Sequence, residues 1–487
     1  MNDIEKILEQ FLEVESERDL FNTLVVNNVK IWHYIRKAIH DMVVEKKCGV
    51  INPNSLKKEY KKESGVLNWI DTNILKNQFR ISQKDVLVIN HERRVKQGKY
   101  YSCVYTDEWL KDFSESYYVF EHAYSGLVHF KPARTKNLRY VDKQKYVKIF
   151  RKKYNHKDFY REITTVTHCI TDMAEKGFAL KLTARDIKRI NQLVQGTVCE
   201  REICRDYWQY ILRRVQPKVI IYVVGYFLDN MVLAELGKEL GIPTIEITHG
   251  QIGSAHVCYN FKIAESLKAF PDYLFVPGQR EIDSMRIPIP RERIYAVGAP
   301  ELEKTKEMYQ KLLAGKRKRK KIVTFLSSGE KELGDVAAEL SAKLNPEQFK
   351  IYFKLHPSEY TNWKKKYQML ENTGVSVVDD AKHDIYYYLA ASDYVIGVAS
   401  ATLVEATAFQ CHILVYKIGR CFWVKDLVQN GIATYIDSAK DAAEYIAENR
   451  EERESSDYYY KSGSSQMICE KVKEIMRHNA CKGERNE

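Results

Sequence analysis

The sequence predicts an α/β chain with two doubly wound domains in tandem and a helical section ahead of them. Three observations carry that expectation. Short apolar runs rich in β-branched residues, DVLVIN at 85–90 and KVIIYVV at 218–224, have the composition of strands buried on both faces of a parallel sheet. Over 218–248 a strand, an amphipathic helix and a second strand follow one another at the spacing of a βαβ unit. From 321 the alternation of short strands and helices starts again and runs to 450.

Residues 1–80 read as helices. Within them IWHYIRKAIHDMVVEK (31–46) places Trp32, Ile35, Ala38, Ile39 and Met42 on one face, which suits either a core or a membrane surface. The first α/β domain spans 81–300, with a long charged helical insertion at 141–215. It begins with the strand at 85–90, followed by a strand turning into a helix over 102–113 (SCVYTDEWLKDF). After the strand at 218–224, the helix FLDNMVLAELGKEL is stopped by Gly241 and Pro243, and further strands lie at 244–248, 272–278 and 293–300. Residues 301–320 are polar and basic and read as a linker. The second domain, 321–450, has strands at 322–328, 349–357, 375–380, 394–400, 412–417 and 433–438, with Asp384 capping an intervening helix. The tail, 451–487, is charged and helical.

Composition narrows the class. Of 487 residues 45% are hydrophobic and 29% charged, and Gly and Pro number only 22 and 11, which excludes disordered, collagen-like and coiled-coil chains. No window approaches the roughly 18–20 apolar residues of a spanning helix. The acidic N-terminus lacks a signal-peptide core, so a cytoplasmic protein is expected. The ten cysteines show no CxxC spacing, and Cys199 and Cys204 are five apart, so free thiols are expected rather than a zinc site. A net charge of +12 invites a polyanion partner, but the charge is dispersed. The one uninterrupted block, KRKRKK at 316–321, stands directly before a strand as a solvated linker would. The 33 tyrosines form no RNA-reading motif, and no nucleic-acid partner is expected.

In open parallel sheets ligands bind outside the carboxyl ends of the strands. Residues at those ends are therefore the candidates: His91, Arg93 and Arg94 after the first strand, and His249-Gly250 after 244–248. In the second domain they are Ser327-Ser328-Gly329, Lys354 and His356-Pro357, then Ser400 and Thr402, with Glu405 a helical turn on. Three histidines directly following strands suit proton transfer near neutral pH. Small residues leading into helices at 327–329 and 399–402 suit phosphate, although N-capping by serine explains them equally. There is no GxGxxG after the first strand, no Walker A sequence, no GxSxG elbow and no DxD triplet at a strand end. Asp379 and Asp380, adjacent on a strand, would point to opposite faces, so no metal site and no cofactor are expected.

These residues resemble the GT-B glycosyltransferases of bacterial surface polysaccharides, namely capsule and lipopolysaccharide transferases and teichoic-acid glycerophosphotransferases. His-Pro is also shared with bacterial sialyltransferases. The likeness rests on the two-sheet plan, His249-Gly250, His356-Pro357 and Ser400-x-Thr402-x-x-Glu405, and it covers about residues 85–450. DYLFVPG followed by RIYAVGAPELE is similar to the crossing between halves in this superfamily and in UDP-N-acetylglucosamine 2-epimerases.

The resemblance implies two Rossmann-like domains facing a central cleft. It implies His249 as catalytic base and His356, shaped by Pro357, as a donor-phosphate ligand, with Ser400, Thr402 and Glu405 on the nucleotide. Gln251-Ile252-Gly253-Ser254 lacks the lysine that glycerophosphotransferases carry after His-Gly, which favours a sugar donor. The acidic element of sialyltransferases is also missing, and Glu246, on the strand before His249, is expected to point away from the cleft.

The expected reaction moves a sugar from a UDP-, CMP- or CDP-linked donor to a hydroxyl of a glycan or lipid-linked glycan, without a metal and with inversion. Lys354, His356, Ser327, Ser328, Gly329 and Ser400 would hold the leaving phosphates. His91, Arg93, Arg94 and Gly250 would face an acceptor, whose anionic groups would pair with the arginines. A peripheral contact with the inner face of the membrane is expected through 316–321 and the 31–46 helix. The alternatives are a nucleotide-sugar 2-epimerase, a CDP-linked glycerophosphotransferase and a non-enzymatic polyanion-binding protein.

Overall fold

The computed structural model describes residues 3–49, 66–124, 128–143, 146–147, 159–250, 252–263, 265–315, 320–448 and 456–483. The chain divides into two compact units. The first comprises Met1–Val276, Glu281–Val297 and Ser465–Glu487, and the second Pro277–Arg280 and Gly298–Ser464.

The first unit holds seven strands: β1 Val86–Asn90, β2 Tyr117–His122, β3 Leu138–Val141, β4 Val219–Val223, β5 Thr244–Ile247, β6 Tyr273–Val276 and β7 Ile294–Ala296. They form one all-parallel sheet in the order β7-β6-β5-β4-β1-β2-β3. The period-two rule assigns alternate residues of β1 to opposite layers. Val86 and Val88 pack with the helix Ser464–Gly483, through Ile468, Val472 and Ile475. Leu87 and Ile89 pack with Trp208, Ile211 and Leu212 of the helix Ala184–Val215 and with Val232 and Leu236 of the helix Leu228–Leu240. The C-terminal helix, expected only as a charged tail, is thus a covering layer of the first sheet.

The helices Asp3–Glu17, Trp32–Cys48 and Tyr160–Phe178, with the first turns of Ala184–Val215, bury a further core. Ile252, Tyr259 and Phe261, from the loop after β5, pack into it. The helical insertion is therefore structural support for that loop. Trp32, Ile35, Ile39 and Met42 are buried as expected. Ala38 faces solvent, while Arg36 and His40 take the buried stripe. Because this apolar face is committed to the protein core, a membrane-surface role for the 31–46 helix is overturned.

The second unit has six strands: β8 Lys321–Leu326, β9 Phe349–Lys354, β10 Val375–Val378, β11 Tyr394–Gly397, β12 His412–Tyr416 and β13 Ala433–Ile436. All are parallel, in the order β10-β9-β8-β11-β12-β13. Numbered within the unit this is 3-2-1-4-5-6, the Rossmann order, and the first sheet follows the same order with a seventh strand added. Both predicted doubly wound domains are present.

Three local expectations need correction. The stretch 102–113 is not strand-then-helix: Tyr100–Ser102 pairs with Val95–Gln97 in a short antiparallel hairpin, and Trp109–Lys111 is a single 3-10 turn. β2 and β3 were missed. Glu121, buried against Arg94, interrupts the apolar run of β2, and β3 is an edge strand carrying Arg139. The expected linker begins as the helix Pro300–Leu313, started by proline at its first turn and burying Leu302 and Tyr309. Residues 316–319 of the basic block lie outside the described residues. No helix among the described residues is long and apolar enough to cross a membrane. None of the ten cysteines, all of them among the described residues, is in a disulfide.

Candidate functional site

Strand order reverses between β1 and β4 in the first sheet and between β8 and β11 in the second. The carboxyl ends of the strands at such reversals are where open α/β sheets bind ligands. In the first sheet, Ile89 aligns with Tyr222 and Tyr222 with Glu246. His91, the turn 224–226 and His249 therefore leave along one edge.

The structure brings His91 and His249 together, their rings stacked with centroids 5.9 Å apart. His249 Nε2 lies 3.2 Å from the Tyr226 hydroxyl, and its Nδ1 is buried without a hydrogen-bond partner among the described residues. Phe227 and Tyr105 flank His91 at 6.3 and 5.7 Å, and His256 packs on Tyr226 at 5.5 Å. Burial pushes His249 down to about 4. His91 and His256 are also held at about 4, chiefly by burial and then by neighbouring positive groups. All three imidazoles are thus neutral at pH 7, and in His91 and His256 the lone pair on Nδ1 already accepts a backbone N–H, from Arg93 and Cys258.

The turn feeding this site is over-determined. Val224 has φ +68°, a left-handed conformation rare for a β-branched residue and a sign of stored strain. The buried Asn230 side chain donates to the carbonyls of Val223 and Val224 at 3.0 and 2.9 Å, and the Gly225 N–H donates to Glu246 Oε1 at 2.7 Å. Glu246 is fully enclosed, and Tyr259 also donates its hydroxyl to it. Burial raises its carboxyl to about 7 against those two bonds. Sequence reasoning set Glu246 aside and missed Tyr226, Asn230 and His256, whose only signal was proximity to strand ends.

A Cβ on Gly225 would stand 2.2 Å from Glu246 Oε2. Gly225→Ala is expected to displace that carboxylate and lose both its hydrogen bonds, costing about 1–3 kcal/mol of stability. Denaturant unfolding measures this, and an unchanged midpoint would contradict it.

The titrating groups set opposite pH dependences. His91, His249 and His256 bind fewer protons folded than unfolded between about 4 and their ordinary 6.5, so their contribution to stability is lost as pH falls through that window. Glu246 does the reverse: its raised value favours the folded state below the ordinary glutamate range, and that contribution is lost as pH rises toward 7. Glu246→Gln is expected to gain thermal midpoint relative to wild type between pH 5 and 8. A difference independent of pH would contradict the assignment.

The remaining first-sheet candidates separate. Arg93 is exposed, and its backbone N–H donates to His91 Nδ1 at 2.9 Å. Arg94 is not available to an acceptor. It is buried against Glu121 and Asp107 and also donates to the Tyr101 carbonyl and the Thr135 hydroxyl, because the apolar edge leaves its charge no solvent. Gly250 has φ +65° with open space where a Cβ would be, so its glycine serves the left-handed turn after His249.

In the second sheet Leu326 aligns with both Lys354 and Gly397. At about 4.8 Å per strand, the ends of β9 and β11 are about 10 Å apart across β8. His356 is exposed. Its Nδ1 accepts the Ser358 N–H at 3.3 Å and lies 2.7 Å from the Ser358 hydroxyl, which leaves Nε2–H as an outward donor. Ser400 caps the short helix Ala401–Glu405 by accepting from the Thr402 N–H at 3.2 Å. Glu405 accepts from the Tyr386 hydroxyl at 3.2 Å, and burial raises its carboxyl.

Three expected phosphate ligands are corrected. Lys354 is buried, and its ammonium donates to the Tyr360 hydroxyl at 2.7 Å and the Asp380 carbonyl at 2.8 Å. Ser327 is buried against Glu359 and Tyr367. Ser328 donates to Glu330, and the next helix starts only at Glu332, with Glu332 and Asp335 in its first turn opposing an anion. Gly329, at φ +105°, supplies the turn between them. Arg420, after β12, is an exposed cation on this edge that sequence reasoning missed. It donates to the Ser328 carbonyl and pairs with Glu330, both at 3.1 Å.

No protein-family model matches the chain, and no curated protein matches it in sequence. Among solved structures it is similar to the UDP-GlcNAc 2-epimerase of Neisseria meningitidis bound to UDP-GlcNAc, at 12% identity and TM-score 0.45, covering 80% of this chain and 99% of that one. It is similar to the UDP-GlcNAc 2-epimerase of Methanocaldococcus jannaschii, at 10% identity and TM-score 0.47, covering 81% and 99%. The wall teichoic acid polymerase TagF, at 9% identity and TM-score 0.39, covers 84% and 92%. The two Rossmann-like domains are established by the strand orders themselves.

Proposed function

We propose that this chain is a GT-B-type glycosyltransferase that moves a sugar from a nucleotide-sugar to a hydroxyl of a bacterial surface glycan. The observation that carries the reading is His249: a neutral imidazole at the carboxyl edge of a Rossmann-like sheet, with Nε2 within 3.2 Å of the Tyr226 hydroxyl. His249 takes the proton of the attacking hydroxyl, whose oxygen bonds to the anomeric carbon as the bond from that carbon to the leaving phosphate breaks, with inversion. Base catalysis of this kind contributes about 10²–10⁴-fold. On the second sheet the His356 Nε2–H and Arg420 meet the charge developing on the phosphates, Ser400 and Thr402 line the nucleotide, and Glu405 accepts from the ribose hydroxyls. The phosphate charge is met by protein donors, so the step as written needs no metal. His91, Arg93 and Gly250 border the acceptor, and Phe227 offers it an apolar face. The basic block at 316–321 remains as a contact for the inner face of the membrane.

The test is product analysis with UDP-, CMP- and CDP-linked donors, each with and without glycan acceptors. Acceptor-dependent release of nucleotide with a new glycosidic bond supports transfer. An isomerised sugar formed from donor alone would replace the reading with an epimerase, and transfer of glycerol phosphate from a CDP-linked donor with a glycerophosphotransferase. Binding of polyanions alone, weakening steeply with salt, would leave the non-enzymatic alternative.

A further inference from the structure

We propose that the outer edge of the first sheet, where residues 66–84 lie against β3 and the stretch 131–139 that leads into it, docks on an anionic membrane surface. Residues 66–75 leave four large apolar side chains uncovered: Val66, Trp69, Ile74 and Leu75 are 74, 59, 44 and 57% exposed. Single exposed apolar residues are ordinary on a protein surface, but four so close together make a patch. The polar side of the same segment is bolted to the protein. Asp71 pairs with Lys76 at 2.9 Å and with Lys131 at 3.1 Å, and Lys131 donates to the Thr72 hydroxyl at 2.6 Å. Both ammonium groups lie over the Tyr140 ring of β3, at 5.2 and 5.0 Å. The segment is therefore held by its polar groups, and its apolar groups are left facing out.

The charge beside this patch has one sign. Residues 72–84 and 131–139 together hold seven lysines and arginines and no aspartate or glutamate. The fold lays the two stretches side by side. The Lys76 carbonyl accepts the Tyr140 N–H at 2.9 Å, Asn77 bridges to Tyr140, and Arg139 donates to the Arg80 carbonyl at 2.9 Å. Arg80, Arg134 and Lys136 are exposed along this edge.

Charged side chains on a sheet edge also discourage pairing with other chains, which accounts for the cations alone. It does not account for an exposed tryptophan and two exposed aliphatic side chains beside them. A bilayer with acidic headgroups uses both: indole and aliphatic groups enter the headgroup boundary, and lysine and arginine are drawn to the negative surface potential. A nucleic acid would engage the cations and leave Ile74 and Leu75 in water. The observations therefore favour lipid as the occupant. This face differs from the 31–46 helix, whose apolar residues are spent in the core, and from the basic block at 316–321, which belongs to the second unit.

The test is flotation of the full chain with vesicles of phosphatidylcholine alone and of phosphatidylcholine mixed equally with phosphatidylglycerol. Binding is expected to the anionic vesicles and to weaken as salt is added. Trp69→Ser/Ile74→Ser/Leu75→Ser and, separately, Arg80→Gln/Lys136→Gln are each expected to lower vesicle affinity about tenfold. All five side chains are exposed, so both variants should keep the wild-type circular dichroism and thermal midpoint. Hydrogen exchange on the anionic vesicles is expected to slow at 69–84 and 131–140. No binding to anionic vesicles, wild-type affinity in either variant, or protection confined to other segments such as 316–321 would overturn the proposal. Two further results would overturn it by naming another occupant. One is binding of single-stranded RNA without binding of vesicles. The other is a dimer in sedimentation velocity that the triple variant abolishes, again without vesicle binding. No donor or acceptor enters these measurements, so they stand whatever the transferase assay returns.

Discussion

His249→Ala is expected to reduce sugar transfer by about 10²–10⁴-fold while leaving nucleotide affinity nearly intact. The imidazole is on the first sheet, with its Nε2 against Tyr226, whereas the candidate nucleotide contacts are on the second. Fold should survive, because the side chain is half-buried and its Nδ1 makes no hydrogen bond among the described residues that would be lost. Initial rates over a donor series, with nucleotide binding followed by calorimetry, check both halves of the expectation. Full activity in the variant would remove His249 from the chemistry. A parallel collapse of nucleotide affinity would move it to the donor site.

Arg36→Met is expected to cost about 3–5 kcal/mol of stability, because it leaves the Glu15 carboxylate buried and unpaired. Both side chains are 1% exposed. The guanidinium contacts both Glu15 oxygens at 2.7 and 2.9 Å, donates to the carbonyls of Val257 and Asn260, and lies 4.2 Å over the Phe261 ring. It therefore ties the N-terminal helices to the loop that follows His249. Hydrogen exchange at 256–261 is expected to speed up beyond the global loss. The double variant Glu15→Leu/Arg36→Met should recover much of the stability, since removing both charges leaves none stranded. A denaturation midpoint within error of wild type for Arg36→Met would contradict this role.

Most of both sheets was legible because their strands are buried on both faces and read as uninterrupted apolar runs. β2 was not, because its Glu121 is neutralised by an arginine 27 residues away, a pairing that local pattern does not contain. The same long-range pairing misled the site reading: Arg94 looked like a free cation after a strand and is the partner of that glutamate. Lys354 and Ser327 likewise sit at strand ends, but their side chains turn inward to Tyr360 and to Glu359. His91, His249 and His356 could be found because strand termination places them on the carboxyl edge whatever the packing. Tyr226, Asn230 and Glu246 could not, since their roles come from the turn between strands that are neighbours only in space. Arg420 needed the proximity of β12 and the loop after β8, which no spacing encodes.

The most direct measurement is hydrogen–deuterium exchange of the full chain with and without UDP, CMP and CDP. At least one nucleotide is predicted to bind saturably and to protect 356–360, 400–405 and 417–421, with His356→Ala weakening the effect. Absence of saturable binding by all three, or protection confined to segments away from the carboxyl edge of the second sheet, would contradict a nucleotide donor site there.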